Sequence, residues 1–347
     1  MDTPPFQFLP EHIKFISEID EFKGKWHVLS DLAPDQLARL RRIATVESVG
    51  SSTRIEGARL TDTEVEILLS GLSTTTFQSR DEEEVAGYAE VMEMIFESFD
   101  KILISENHIR QLHQVLLKFS SKDARHRGEY KKFPNHVEAF DENGKSLGVI
   151  FETASPFETP FKMSELIEWV EREWERQTLH PLFITSIFIV HFLAIHPFQD
   201  GNGRLSRILT TLLLLKSGYT YVPYVSLERV IEENKDHYYL ALRHAQSTLY
   251  SNNRNLNEWI LFFLTSLKKQ IFVLESKIKK ERLIAELPPL SQDIIQFAKQ
   301  HGRVTVRNVQ KITGANRNTI KAHIKKLLAR GEIKKMGVGK GTWYRPP

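Results

Sequence analysis

Residues 196–207 run His196-Pro197-Phe198-Gln199-Asp200-Gly201-Asn202-Gly203-Arg204-Leu205-Ser206-Arg207. A histidine, a carboxylate four residues on, a Gly-Asn-Gly loop and two arginines three apart share twelve positions. Gly201 and Gly203 tolerate backbone torsions and close approaches that side chains resist. A loop of this kind entering a helix turns its N–H groups inward, where the positive end of the helix adds to their pull on anions. Phosphate is the natural occupant. Arg204 and Arg207, on one face of the first helical turn, can fork onto phosphate oxygens. Asp200 is placed to hold Mg2+, which takes a carboxylate together with phosphate oxygens rather than a full protein cage. That leaves His196 as the side chain suited to general-base work near neutral pH.

The segment resembles the signature of the Fic family, His-x-Phe-x-Asp/Glu-Gly-Asn-Gly-Arg-x-x-Arg, at every fixed position. The resemblance implies transfer of AMP from ATP to a protein hydroxyl. His196 would deprotonate the hydroxyl, which attacks the α-phosphate while pyrophosphate leaves. By the same carry-over Asp200 holds Mg2+ and Asn202 with the Gly201–Gly203 amides cradles phosphates. Arg204 and Arg207 grip the distal phosphates, and the nucleotide-contacting stretch runs on through Leu205 and Ser206.

About 140 residues upstream, Ser52-Thr53-Arg54-Ile55-Glu56-Gly57 fits the inhibitory pattern of many Fic proteins, Ser/Thr-x-x-x-Glu-Gly/Asn. A glutamate reaching Arg207 makes a charge-assisted pair where the γ-phosphate should sit, and turns the α-phosphate of any bound ATP away from in-line attack. Gly57 follows Glu56 as a helix C′ residue does. Ser52, Glu56 and Gly57 are therefore the expected inhibitory residues, on a helix over about 45–57, N-terminal to the catalytic core.

The chain around these motifs has 347 residues and no cysteine, which excludes disulfides and thiolate sites. The start, Met1-Asp2-Thr3-Pro4-Pro5, lacks the basic and apolar run of a signal peptide. The apolar stretch Leu182–Ile195 is too short for a bilayer and reads as a buried helix leading into His196. The expectation is a cytoplasmic protein with no membrane segment. Net charge is +3 but uneven: residues 277–347 hold 17 Lys/Arg and 4 Asp/Glu, or +13, so the remaining 276 residues sum to −10.

Apolar positions recur at three and four residues in Leu37–Ile43, Glu64–Leu69, Val85–Phe99, His108–Phe119 and Leu166–Trp174, which predicts helices. Ser105 and Ser164 are expected helix starts. Residues 128–160 break the pattern: Val137–Phe140 and Ser146–Phe151 flank Asp141-Glu142-Asn143-Gly144, a hairpin signal. In Fic proteins a flap in this place pairs with the target segment as an added strand. Residues 228–246 read as one further helix. Its Tyr-Tyr-x-Ala-Leu spacing resembles a Fic helix near the nucleotide base, with Tyr239 favoured over Tyr238 for contact.

Beyond a long connector, Leu256–Leu287, the spacing predicts helices at Ser291–Gln300, Thr305–Thr313 and Asn316–Arg330, then a hairpin over Ile333–Tyr344. This resembles a winged helix. Asn316, Arg317, Asn318, Lys321 and Lys325 would face DNA or a protein partner from the third helix.

The expected fold is thus mainly α: a Fic-type helical bundle with a β-hairpin flap, followed by a small winged-helix domain. Its parts are an N-terminal helical region (1–104), a catalytic core (105–250), the connector (251–287) and the winged helix-turn-helix (288–347). The expected function is an autoinhibited AMP transferase acting on Tyr, Thr or Ser hydroxyls of targets and of itself, with ATP as co-substrate and Mg2+ as cofactor. The alternatives are a DNA-binding regulator whose Fic body senses ATP, and a bifunctional enzyme that also removes AMP. A homodimer is an expectation by analogy with Fic proteins.

Overall fold

The structure, a computed structural model, describes residues 9–29, 34–71, 76–140, 146–251, 254–285 and 287–347. It divides into two compact units, Met1–Leu274 and Glu275–Pro347.

The first unit opens with four helices: α1 (Pro10–Leu29), α2 (Pro34–Ile55), α3 (Asp62–Gly71) and α4 (Arg80–Ser98). The predicted inhibitory helix is the last part of α2, which starts eleven residues earlier than expected. α5 (Glu106–Leu116) begins where Ser105 accepts a hydrogen bond from the His108 N–H. The hairpin follows as β1 (His136–Phe140) and β2 (Ser146–Glu152), antiparallel, with register irregularities after Val137 and Ala139. Its expected tip, Asp141 to Gly144, lies outside the described residues.

α6 (Thr159–Arg176) starts earlier than Ser164, because Pro160 sits in its first turn, where a missing N–H is harmless. α7 (Pro181–Ile195) is buried from Leu182 through Ile195. A helix apolar on all sides must lie inside the bundle, and α7 packs against α6 and against α8 (Asn202–Lys216). The expected single helix over 228–246 is two, α9 (Leu227–Glu232) and α10 (Lys235–Thr248). The break falls at Glu233-Asn234, where Asn234 caps its own preceding turn through Nδ2 to the Val230 carbonyl, 2.7 Å. α11 (Asn257–Ala285) begins in this unit, and Trp259 there donates its indole N–H to the Ser186 carbonyl of α7, 2.7 Å.

The second unit holds α12 (Pro289–His301), α13 (Val306–Thr313), α14 (Arg317–Ala329) and a hairpin of β3 (Lys334–Met336) with β4 (Trp343–Arg345). Thr305 and Asn308 form a capping box at the start of α13. The unit has its own core, built from Ile294, Ile295, Val309, Ile320, Ile324, Leu327 and their neighbours.

Candidate active site

α7 delivers His196 as its C-cap in the left-handed region, φ 51° and ψ 61°. A non-glycine residue there is uncommon and turns the chain sharply out of the helix. His196 Nδ1 lies 3.3 Å from the Leu193 carbonyl, so that nitrogen carries the proton and Nε2 is the acceptor. Burial, and then the charge of Lys131, push the imidazole down to about 4, which keeps it neutral.

The loop is closed by Asn202, whose Oδ1 accepts from the Phe198 N–H (2.9 Å) and whose Nδ2 donates to the Phe198 carbonyl (2.7 Å). Gly201 caps α8 at φ 80°. Beneath the loop lies His113 of α5, fully buried and stacked on Phe198 at 3.8 Å. It accepts from the Gly128 N–H at Nδ1 (2.8 Å) and donates from Nε2 to the Asp200 carbonyl (2.9 Å). Burial pushes it down to about 4, so this neutral tautomer is the stable one.

Asp200 accepts from the Gly201 N–H at 2.5 Å, from Arg80 at 2.8 Å and from Arg204 at 3.2 Å. Burial opposes its charge, but Arg204, the Gly201 N–H and Arg80 overcome that and hold its pKa below the ordinary value. Arg204 is 2% exposed and lies 3.2 Å from Glu84 of α4. Its buried Nε–H has no hydrogen-bond partner among the described residues. An unpaired buried donor is costly, and this one lies at the start of α8, beside Asp200 and Glu84.

Arg207, one turn on, donates Nε–H to Ser52 Oγ (2.8 Å), and Nη2 to the Ser52 carbonyl (2.9 Å) and to Glu56 Oε1 (2.7 Å). Tyr88, also buried, donates its hydroxyl to the buried Glu228 at 3.0 Å. α2 ends in paired turn bonds, Gly57 N–H to the Arg54 carbonyl and Ala58 N–H to the Thr53 carbonyl, with Gly57 at φ 105°. This C-cap turn projects Glu56 from the helix end. A Cβ added to Gly203 would overlap the Glu56 carboxylate. The carboxylate therefore lies over the first turn of α8 and touches Arg207. Desolvation in the cleft opposes its charge although 34% of the side chain stays exposed, and Arg207 and Arg204 hold its pKa below the ordinary value.

The structure thus brings His196, Asp200, Gly201, Gly203, Arg204, Arg207, Ser52 and Glu56 to one cleft. Leu205 points into the core and Ser206 bonds back to the Gly203 carbonyl, 2.7 Å. Tyr239 lies half-buried near Arg207 and Glu56, while its neighbour Tyr238 is buried beside Arg207 and Ser206. Sequence reasoning missed Lys131, His113, Arg80, Glu84 and Tyr88, none of which lies in a motif. Among the described residues no group of three or more His, Cys, Asp or Glu is arranged to hold a metal.

The Fic/DOC family model matches residues 103–214, which include the whole loop. The chain carries a Fic domain. Residues 278–342 match a bacterial family of unknown function (DUF977). A curated Drosophila mojavensis protein, "Protein adenylyltransferase Fic", is 27% identical over 206 residues, 59% of this chain and 38% of that one. Its Drosophila sechellia counterpart is 29% identical over 185 residues, 53% and 35% of the two chains. This chain thus spans well under half the length of those relatives. Among solved structures, a Fic family protein from Desulfovibrio desulfuricans shares the fold over 100% of this chain and 98% of its own, at TM-score 0.65 and 23% identity. A Fic-domain signalling protein from Bacteroides thetaiotaomicron covers 76% and 97% at TM-score 0.61 and 27% identity.

Proposed function

We propose that this Fic domain is an autoinhibited protein adenylyltransferase, moving AMP from ATP onto Tyr, Thr or Ser hydroxyls of a target protein and of itself. The observation that carries the reading is the Glu56 carboxylate seated over Gly203 and on Arg207. It is an internal anion held where phosphate-binding groups converge, beside a neutral histidine. His196 Nε2 takes the proton of the attacking hydroxyl, the new O–P bond forms at the α-phosphorus, and pyrophosphate leaves. Arg204 and Arg207 receive the distal phosphates, and the helix N-terminus stabilises the charge that develops there. Asp200, a carboxylate held ionised at the mouth of the loop, is the residue that would hold Mg2+, which would there neutralise phosphate charge.

The test uses ATP labelled on the α-phosphate beside ATP labelled on the γ-phosphate, with wild type, Glu56→Gly and Glu56→Gly/His196→Ala. Label from the α-phosphate alone, strongest in Glu56→Gly and absent in the double variant, is the expected result. Label from the γ-phosphate, or none in Glu56→Gly with cell lysate present, would overturn it.

A second reading concerns residues 288–347. Its helix-turn-helix and two-stranded hairpin have the order of a winged helix, and α14 exposes Asn316, Arg317, Asn318, Lys321 and Lys325 opposite its buried Ile320, Ile324 and Leu327. α14 itself carries no Asp or Glu, and a basic helix face suits nucleic-acid phosphates. Retention of duplex DNA that weakens as salt rises is expected, and equal mobility with and without Lys321→Glu/Lys325→Glu would remove the reading.

A further inference from the structure

Lys131 precedes the flap, stands outside every motif, and is 3% exposed. Its ammonium group has three acceptors: Asn135 Oδ1 at 2.8 Å, Thr153 Oγ1 at 2.9 Å and the Ile195 carbonyl at 3.0 Å. Asn135 is the residue immediately before β1, Thr153 immediately follows β2, and Ile195 immediately precedes His196. We infer that Lys131 is a positioning residue that ties both feet of the flap to the backbone turn presenting His196, and so keeps a flap-bound target hydroxyl in reach of the base.

The surrounding bonds point the same way. Asn135 Nδ2 donates to the Phe198 carbonyl (2.8 Å), and Thr153 Oγ1 donates to the Asn135 carbonyl (2.7 Å). The Lys131 N–H donates to the Pro197 carbonyl at 2.9 Å, and the Ala154 N–H to the Ala194 carbonyl at 3.3 Å. One buried cation therefore joins the two strand ends to the chain on either side of the catalytic histidine. Its three acceptors are neutral. Burying an ammonium group without a hydrogen-bonded carboxylate is expensive, and burial with the nearby Lys162 lowers its pKa to about 8 against the opposing pull of Glu158. Packing alone is met more cheaply by Met. The three-donor fan of a lysine, however, reaches three acceptors around one point, a geometry the planar guanidinium of arginine does not reproduce.

The same group also acts on His196 through its charge. The ionisable groups facing the imidazole are Lys131 from the pre-flap segment, Glu56 from α2 and Asp200 from the loop. Lys131 opposes protonation of the ring, while the two carboxylates favour it.

This inference rests on the transferase reading for its consequence but not for its measurement. The full chain in the Glu56→Gly background is compared with the same chain bearing Lys131→Met, Lys131→Arg, Asn135→Ala or Thr153→Ala. Amide exchange is followed over 136–140 and 146–152, and the His196 ring is titrated by NMR. Expected are exchange of the flap amides about tenfold faster in Lys131→Met, with smaller gains for Asn135→Ala and Thr153→Ala. His196 should titrate higher in Lys131→Met but not in Lys131→Arg. Self-labelling from α-labelled ATP should fall about tenfold or more in Lys131→Met and Lys131→Arg, with ATP affinity nearly unchanged. Unchanged flap exchange in Lys131→Met, or in both single-acceptor variants should Lys131→Met not fold, overturns the tether. Absence of labelling in Glu56→Gly itself would instead count against the transferase reading, and leaves the exchange and titration results to decide Lys131.

Discussion

Arg207 illustrates how much one buried charge dictates. At 4% exposure its guanidinium needs a partner, and Glu56 supplies the negative charge while Ser52 fills two further acceptor positions. Removing Glu56 leaves the cation with neutral acceptors only. Glu56→Gly is therefore expected to lower the stability of the nucleotide-free chain by about 1–3 kcal/mol. ATP should offset that loss, because a ligand that binds the folded state more tightly stabilises it more. The check is a thermal melt with and without MgATP: a larger ATP-induced rise in Tm for Glu56→Gly than for wild type. Equal rises would mean that Glu56 and the nucleotide do not compete for Arg207. Gly203→Ala separates crowding from charge, since its Cβ would overlap the Glu56 carboxylate and also fill the phosphate's approach. It should weaken ATP binding tenfold or more without activating the enzyme. These residues were legible in the sequence because phosphate chemistry demands glycine, arginine and a carboxylate at short spacing. Lys131, His113 and Arg80 were not, because the contacts that bring each to the cleft are with Ile195, Asp200 and again Asp200, at 64, 87 and 120 residues' distance.

The helix that carries Glu56 is held from its other face. Arg54, two residues earlier, makes a bidentate pair with Glu232 of α9 (2.6 and 3.0 Å) and donates to the Leu60 carbonyl at 2.9 Å. Asp62 at the start of α3 lies 3.0 Å from Arg54 and also pairs with Arg229 of α9. The end of α2 is thereby pinned to α3 and α9 by charge, independently of the nucleotide cleft. Glu232→Gln should loosen that pin, costing about 1–3 kcal/mol of stability. It should raise basal transfer by a smaller factor than Glu56→Gly, measured by self-labelling at matched protein concentration. Labelling identical to wild type would show that Glu56 alone sets the restraint. Helices with strong periodicity were readable from the sequence, and α7 above all. The division of 228–246 into α9 and α10 was not, because Asn234 there closes one helix through its own side chain without Gly or Pro to mark the place. Nor was the start of α6, where proline rather than Ser164 sets the first turn.

Four histidines in the unit of residues 1–274, His12, His113, His191 and His196, are held below the ordinary value. His113 and His196 are held at about 4 and His191 at about 3, in each case mainly by burial. Unfolded histidine titrates near 6.5. Between those values the unfolded chain binds more protons than the folded one, so stability falls as pH drops below about 6.5. His113, His191 and His196 together give a slope approaching about 4 kcal/mol per pH unit around pH 5, before His12, also lowered by burial, and carboxylate protonation add to it. Glu56 and Asp200, whose pKa values are depressed, lose their contribution only at lower pH. Urea melts from pH 7.5 to 5 would measure the slope. Trp26, Trp169, Trp174 and Trp259 report on this unit once Trp343→Phe has silenced the other. The control is His191, whose buried Nε2 has no hydrogen-bond partner among the described residues and which takes no part in the cleft. His191→Leu should remove about 1.4 kcal/mol per pH unit from the slope while leaving nucleotide binding intact. A wild-type slope near that of a single group would mean that these histidines take up protons in the folded state, and with it that His196 is not held neutral by its burial.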